Sequence, residues 1–381
     1  MTNLYLDYQA TTPTDQRVVK AMDPFWNESF ANPHAINHSL GLESEKAVEH
    51  AREQIADLIG AYSIEIIFTS GATEANNMAI LGVMPHLIKN GKNHIITTNI
   101  EHRSVLSICA HLEKNGVKVT YIPVSENGII DPSQIEKAIC DETALVSIMA
   151  VNNEIGTIQP TAKIGEICKK HNILFHVDGA QAIGKIPFNV TENNVDMVSI
   201  SSHKMYGPKG IGALYIKRQS RIQMEPLIHG GTQEKGLRAG TLPTPLCVGF
   251  GEACNIAKQE MAEESNHLTL LRNSLLEKLE SELDGVHVNG DKQNRIPGNL
   301  NISFDNVDGI VLSAAWKKTL AVSFGSACSS GRQEISHVLK ALNTPHCASN
   351  AVRIGLGRQT TQEDIDKAAE IIISTVKRLR S

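Results

Sequence analysis

A chain of 381 residues is too long for one small core and suits a large domain with a smaller one attached. Its formal net charge of −5 shows no basic stripe, which argues against nucleic acid as a partner. No apolar run approaches the roughly 18–20 residues that span a bilayer, and the opening Met1-Thr2-Asn3-Leu4-Tyr5-Leu6-Asp7 lacks the charged-then-apolar order of a signal peptide, so no membrane is expected. The seven cysteines, at 109, 140, 168, 247, 254, 328 and 347, are odd in number and form no C-x-x-C pair. That excludes a disulfide framework or zinc ribbon and fits a reducing, cytoplasmic setting.

Taken in chain order, short apolar runs alternate with helical patterns from about residue 65 to 216. The spacing predicts strands at Ile66–Thr69, His94–Thr98, Val117–Ile122, Ala144–Met149, Leu174–Asp178, Asp196–Ser201 and Ala213–Ile216. Helices are predicted between several of them, at Ser104–Lys114, Pro132–Ile139 and Ala162–His171. Such alternation implies right-handed crossovers and a mainly parallel sheet covered on both faces. Only a turn separates the last two strands, so part of the sheet is expected to be antiparallel. Residues 255–283 read as one long polar helix. Asn299–Phe304, Gly309–Lys318, a glycine-rich loop near 325–331 and a final helix Thr361–Arg380 follow, an order that suits a smaller α+β domain. The expected division is a large α/β domain over 15–255 and a small domain built from 1–14 and 256–381.

Seven segments carry candidate chemistry. Phe68-Thr69-Ser70-Gly71-Ala72-Thr73-Glu74 is a strand, a small-residue turn and a helix start; free N–H groups at a helix N-terminus bind phosphate, although a simple helix start reads the same way. His102 follows the strand at 94–98, where an imidazole can stack on a planar ring and move protons, or merely cap a helix. Asn153 ends the strand at 144–149, as a ligand donor or as ordinary turn chemistry. Asp178 closes the next strand at its C-terminal end, where open α/β sheets bind ligands; an aspartate there can pair with a protonated pyridine nitrogen or cap a helix. Lys204 lies in Ser201-Ser202-His203-Lys204-Met205-Tyr206-Gly207-Pro208, between two strands; desolvation at a buried strand end would leave a neutral amine able to form a Schiff base, while a solvated turn lysine is the plainer alternative. Further on, Gly325-Ser326-Ala327-Cys328-Ser329-Ser330-Gly331 sets a cysteine in a loop of small residues, reactive if exposed and inert if buried. Arg353, inside an apolar run, needs a carboxylate, from a ligand or from an internal salt bridge.

In this order and spacing the segments resemble the cysteine desulfurases among the class V, fold type I, pyridoxal-phosphate enzymes, and within these the long-loop type serving iron–sulphur cluster assembly. The likeness runs from Tyr5-Leu6-Asp7 through Asn32-Pro33, Thr69–Glu74, Glu101-His102, Asn152–Gly156, His176-Val177-Asp178, His203-Lys204 and Gly240-Thr241-Leu242-Pro243 to Gly325–Cys328. It implies a large domain with a mainly parallel seven-stranded sheet and a smaller α+β C-terminal domain. It implies that pyridoxal 5'-phosphate is held as a Schiff base on Lys204, with Asp178 on the pyridine nitrogen, Gln181 on the ring hydroxyl and His102 stacked on the ring. Thr73, Ser201 and His203 would hold the phosphate, with Ala72 and Ser202 beside them, and Thr241 would reach the phosphate of the neighbouring subunit in a homodimer. Asn153 and Arg353 would receive the carboxylate of L-cysteine. Cys328 would take the sulfur as a persulfide, leave L-alanine, and pass its cargo to an acceptor such as an iron–sulphur scaffold protein; no permanent metal is expected, only a transient contact of Cys328 with a nascent cluster.

Small departures from the family pattern are Ser202, Thr232, Ala239 and Ala31, at positions where relatives carry glycine or serine. The chain stops at Ser381, where relatives in cluster assembly often continue into a tail that docks the scaffold, so that tail is expected to be absent. Rival readings are a class V aminotransferase, which would not need Cys328, a selenocysteine lyase, and a catalytically idle binding platform.

Overall fold

The computed structural model describes residues 4–218, 222–324, 336–344 and 350–381; Cys328 and Cys347 lie outside the described residues. The chain opens with β1 (Leu4–Tyr5), α1 (Gln16–Met22), α2 (Pro24–Asn27) and α3 (Ser39–Ile59). The alternating region then runs β2 (Ile66–Thr69), α4 (Ala72–Lys89), β3 (His94–Thr98), α5 (Arg103–Lys114), β4 (Lys118–Ile122), α6 (Pro132–Ala138), β5 (Thr143–Met149), α7 (Thr161–Lys170), β6 (Leu174–Asp178), β7 (Met197–Ser201) and β8 (Gly212–Ile216). A long α8 (Thr244–Glu282) leads to β9 (Val286–Val288), β10 (Asn299–Phe304), α9 (Gly309–Trp316), β11 (Leu320–Ala321), β12 (Ser323–Phe324), α10 (His337–Leu342), β13 (Val352–Gly355) and α11 (Gln362–Arg380).

Among the described residues, seven strands form one sheet in the order β2-β8-β7-β6-β5-β3-β4. The pairs β7-β6, β6-β5, β5-β3 and β3-β4 are parallel, and β8 runs antiparallel to both its neighbours. The short connection between β7 and β8 forces that reversal, because a parallel pair needs a long crossover. Neighbouring side chains alternate between two cores. Phe68, Ile96, Val146, Val198 and Ile200 pack on one face, and Ile67, Ile95, Leu145 and Met197 on the other beside α4 and α5. Both faces are covered, so these strands read as continuous apolar runs rather than as alternating ones.

The first core is closed by α3 and α8. Ile55 and Ile59 of α3 are fully buried, each worth roughly 1.5–3 kcal/mol of apolar burial. The two helices approach so closely that a Cβ on Gly251 would lie 2.5 Å from the Ala51 Cα. The second half of α8 leaves that core: Leu268, Leu271, Leu275 and Leu279 pack with Leu300, Ile302, Val352, Ile354 and Ile365 against the antiparallel sheet β12-β13-β10-β9. The N-terminal segment joins the two parts. β1 pairs with β11, Asp7 bridges to Gly355, and the Thr12 hydroxyl accepts from the Tyr206 N–H and donates to the His203 carbonyl.

Arg358 ties the same junction. Its Nη1 is 2.7 Å from Asp15 Oδ2, its Nε donates to Glu264 Oε2 at 2.9 Å, and its guanidinium lies 4.3 Å from the centre of the Tyr206 ring. Arg17, and more weakly Arg358, hold the Asp15 carboxyl down to about 2.

Candidate active site

The C-terminal ends of β3, β5, β6 and β7 open into a cavity of about 530 Å³. That is where an open parallel sheet presents its loops and helix N-termini to a ligand. Lys204, Asp178, His102, Thr73, Ala72, Gln181, Ser201, His203, Asn153 and Arg353 all line it. Two expected residues do not. Ser202 is fully buried under the turn, with its Oγ unpartnered, and Thr241 is exposed away from the cavity. Cys328 lies outside the described residues.

Lys204 ends a 3-10 turn, Ser202–Lys204, directly after β7. Tyr206, two residues on, has a φ of +64°, a costly conformation for an aromatic residue. It is held by the Thr12 hydroxyl on its N–H at 2.9 Å and by its own hydroxyl on Glu264 at 3.0 Å. The Lys204 Nζ donates to the carbonyls of Gln9 at 2.8 Å and Ala10 at 2.7 Å. Burial, and next the charge of Arg353, pull its pKa down to about 8, with Asp7 and Asp178 opposing. The neutral, nucleophilic amine therefore gains population as pH rises towards 8 and is nearly complete about one unit above it. The rate at which apo-protein captures pyridoxal phosphate covalently should rise with pH and level off by about 9. A rate still climbing tenfold per unit at pH 10 would restore the lysine to its ordinary range.

Asp178 is 5% exposed. Its Oδ1 accepts from the Ala180 N–H at 3.0 Å and its Oδ2 from Asn76 Nδ2 at 2.8 Å. The same Asn76 amide donates to Ser104 Oγ at 2.8 Å, and Ser104 in turn meets His102 Nδ1 at 2.8 Å through its hydroxyl and 3.2 Å through its N–H. A backbone N–H can only donate, so Nδ1 is the acceptor and the proton of neutral His102 sits on Nε2. The ring is open to the cavity, while the protein packed round its other side, chiefly by desolvation, holds its pKa below the usual value. Asn76 and Ser104 thus couple the two residues that face a ring. Asn76 lies two residues past the Phe68–Glu74 segment, and nothing local in the sequence shows that its amide spans 102 residues to Asp178.

The opposite end of the cavity suits a dianion. The first turn of α4 begins at Gly71, which offers no side-chain cap, so its free N–H groups face the cavity end lined by Ala72 and Thr73. Ser201 adds a hydroxyl. His203 is held neutral, its pKa lowered to about 4 by burial and by the nearby lysines, and one ring nitrogen meets Thr11 Oγ1 at 3.1 Å.

Arg353 answers both alternatives left open by the sequence. It lines the cavity, and it is also paired internally: Nη2 lies 2.7 Å from Asp7 Oδ1 and 2.8 Å from Ser323 Oγ, and Nη1 donates to the Asn153 carbonyl at 2.9 Å. Its Nε is buried without a hydrogen-bond partner. His337, not anticipated from the sequence, also lines the cavity with Nε2 2.9 Å from the Glu101 carbonyl. Burial pushes the Glu101 carboxyl up to about 8, despite hydrogen bonds from Thr98 Oγ1 and the Met149 N–H.

A desolvated lysine after one parallel strand, a buried aspartate at the end of another and an uncapped helix N-terminus in the same cavity define a fold type I pyridoxal-phosphate enzyme. The residues present fit that cofactor: donors for its phosphate, an acceptor for its ring nitrogen and an amine for its aldehyde. A family profile described as "Aminotransferase class-V" matches residues 4–368. The chain is 52% identical over 380 residues to "Cysteine desulfurase IscS" of Rickettsia bellii, spanning 99% of this chain and 92% of that one. It is 51% identical over 380 residues to the protein of the same name from Rickettsia prowazekii. Among solved structures, a "NIFS-like protein" superposes with a TM-score of 0.91 at 38% identity, covering 99% of this chain and all of that one. "SspA in complex with cysteine" superposes at 0.82 with 40% identity, over 93% of this chain and 99% of that one. The chain belongs to the class V aminotransferases and, within them, to the pyridoxal-phosphate-dependent cysteine desulfurases.

Proposed function

We propose that the protein takes the sulfur of L-cysteine onto Cys328 as a persulfide, releases L-alanine, and hands the sulfur to an acceptor in iron–sulphur cluster assembly. One observation carries the role of Cys328. Ser323, just before the segment that contains it, and His337, just after, both line the cavity that holds Lys204. The near-full-length identity to proteins named cysteine desulfurase supports the substrate and the direction of sulfur flow.

In this reading Lys204 would carry pyridoxal phosphate, Asp178 would pair with its ring nitrogen, Gln181 with its ring oxygen, and Thr73, Ser201, His203 and the α4 N-terminus would hold its phosphate. The bound cofactor supplies the electron sink that labilises the substrate's carbon–sulfur bond. Arg353 and Asn153 would orient the substrate carboxylate, and their shared place on the cavity wall beside Ser323 supports this. The Lys204 amine, with a pKa near 8, would take a proton from the substrate and return it to carbon. His102, neutral and carrying its proton on Nε2, stands over the same space and can exchange that proton. The Cys328 thiolate attacks the substrate sulfur: a sulfur–sulfur bond forms, the carbon–sulfur bond breaks, and its electron pair remains with the carbon skeleton that takes up a proton to become alanine.

We also assign the working form as a cytoplasmic homodimer, with a large domain over 15–255 and a small one from 1–14 and 256–381. Thr241 is exposed away from its own cavity, free to face a second copy, and Trp26, Phe30, Ile36, Leu40 and Ile228 are exposed apolar side chains. No helix among the described residues is long and apolar enough to cross a membrane.

The test is sulfide and alanine release from cysteine under a reductant. Wild type should release both, and Cys328→Ser should bind cofactor and cysteine yet release less than about 1% as much sulfide, since a hydroxyl cannot hold the sulfur. Comparable sulfide from the serine variant would refute the assignment.

A further inference from the structure

Behind the cofactor lysine lies a second lysine that the proposed reaction does not use. Lys185 follows Gly184, whose φ of +77° turns the chain sharply inward. Its Nζ donates to Gln181 Oε1 at 2.6 Å. The Gln181 Nε2 donates to the Gln9 carbonyl at 3.0 Å, and that carbonyl also accepts from Lys204 Nζ at 2.8 Å. Lys185 and Lys204 line one small cavity on the inner side of the site, together with Glu264 and Tyr206.

The charges around Lys185 do not explain its place. Among the described residues it forms no ion pair. The charged groups that face it are Lys204 after β7, Arg353 on β13 and Glu264 on α8; the first two repel it and only Glu264 attracts it. Burial and Lys204 pull its pKa down to about 7. A lysine kept in such a place at a cost in solvation needs a use.

The hydrogen bonds supply one. The Gln9 carbonyl only accepts, so it takes the Gln181 nitrogen and turns the Gln181 oxygen to the Lys185 Nζ, which donates to it; the amide is held at both ends. One hydrogen of Nε2 serves Gln9. The second meets no acceptor among the described residues, and Gln181 is part of the wall of the main cavity. We propose that Lys185 is a positioning residue: it locks the Gln181 amide so that Gln181 meets the ring oxygen of pyridoxal phosphate as a donor and favours that oxygen in its ionised form. This deepens the reading of the site given above and rests on it.

The experiment uses holoenzymes of the wild type, Lys185→Met, Lys185→Arg, Gln181→Met and the Lys185→Met/Gln181→Met pair. The pH midpoint of the bound cofactor's absorbance band is read beside cofactor affinity, kcat and KM. Losing Lys185 loosens a donor to the ring oxygen and, below about pH 7, also removes a positive charge, and both changes disfavour the deprotonated form. The midpoint in Lys185→Met should therefore move up by about half a unit or more, with cofactor affinity about tenfold weaker, kcat lower and KM for cysteine little changed. Lys185→Arg, another donor-only side chain, should restore most of both. The paired variant should resemble Gln181→Met alone, because one residue acts through the other. An unmoved midpoint with only a lower melting temperature, or losses that add in the pair, would overturn the inference while leaving the cofactor site intact. A wild type that takes up no pyridoxal phosphate would overturn the site reading and this inference with it.

Discussion

Lys204→Ala should leave a folded protein that binds pyridoxal phosphate only weakly and turns over cysteine at least about 10⁴-fold more slowly, a loss of ~5 kcal/mol or more in transition-state stabilisation. The side chain does two jobs in the account, and alanine removes both. It anchors the cofactor, and its amine moves the proton, with a pKa near 8 that suits both tasks. The fold should tolerate the change, because the pKa is lowered by burial: below about 8 the folded state holds an ammonium it disfavours, so removing it takes away a cost at neutral pH. The Gln9 and Ala10 carbonyls lose a donor but adjoin a cavity that water can enter. Borohydride reduction followed by peptide mass mapping checks the anchor: wild type should be labelled on the Lys204 peptide and the variant nowhere. Covalent capture by the alanine variant would move the anchor to another lysine.

Asp178→Ala should lower kcat by about 10³-fold while the KM for cysteine changes little. The carboxylate is buried, fixed by Ala180 and Asn76, and placed at the β6 end, so alanine leaves the ring nitrogen with no partner to keep it protonated and the electron sink fails. Asn76 keeps its bond to Ser104 and the Ala180 N–H is only part-buried, so the stability cost should stay near 1–3 kcal/mol, the usual loss for a buried donor left unsatisfied. Asp178→Asn preserves the shape but not the charge and should recover little of the rate. A folded alanine variant with near-normal kcat would take Asp178 out of this role. Since Asn76 and Ser104 also set His102, steady-state and single-turnover rates measured together separate loss of charge from a displaced imidazole.

Much of the sheet was legible because fully buried strands are short apolar blocks bounded by turn residues. The predicted limits of β2, β3 and β6 agree with the structure, and those of β4, β5, β7 and β8 differ by one residue. The antiparallel β8 followed from the length of one connection. The helices in the first 60 residues were not read. The buried positions of α3 include Gly41, Ser44 and Arg52 beside Val48, Ile55 and Ile59, so its apolar stripe is diluted, and Arg52 is buried only because it pairs with Glu234 at 2.8 Å. α8 begins at Thr244 rather than near 255, since the glycine- and proline-bearing start Thr244–Cys254 is helical through packing on α3 rather than through propensity. In the site, residues at strand ends were legible by position and family likeness. Their supports were not. The Asp7–Arg353 pair spans 346 residues, and the amide chain from Lys185 through Gln181 to Gln9 closes only when the N-terminal segment lies across the cavity.

The central claim is that Cys328 carries the sulfur. Holoenzyme incubated with L-cysteine without reductant, alkylated and digested, should show the Cys328 peptide heavier by one sulfur atom, and dithiothreitol should remove that mass. The peptides bearing Cys109, Cys140 and Cys254 should stay unmodified under the same conditions. Active enzyme whose Cys328 peptide never gains sulfur during turnover would contradict the account.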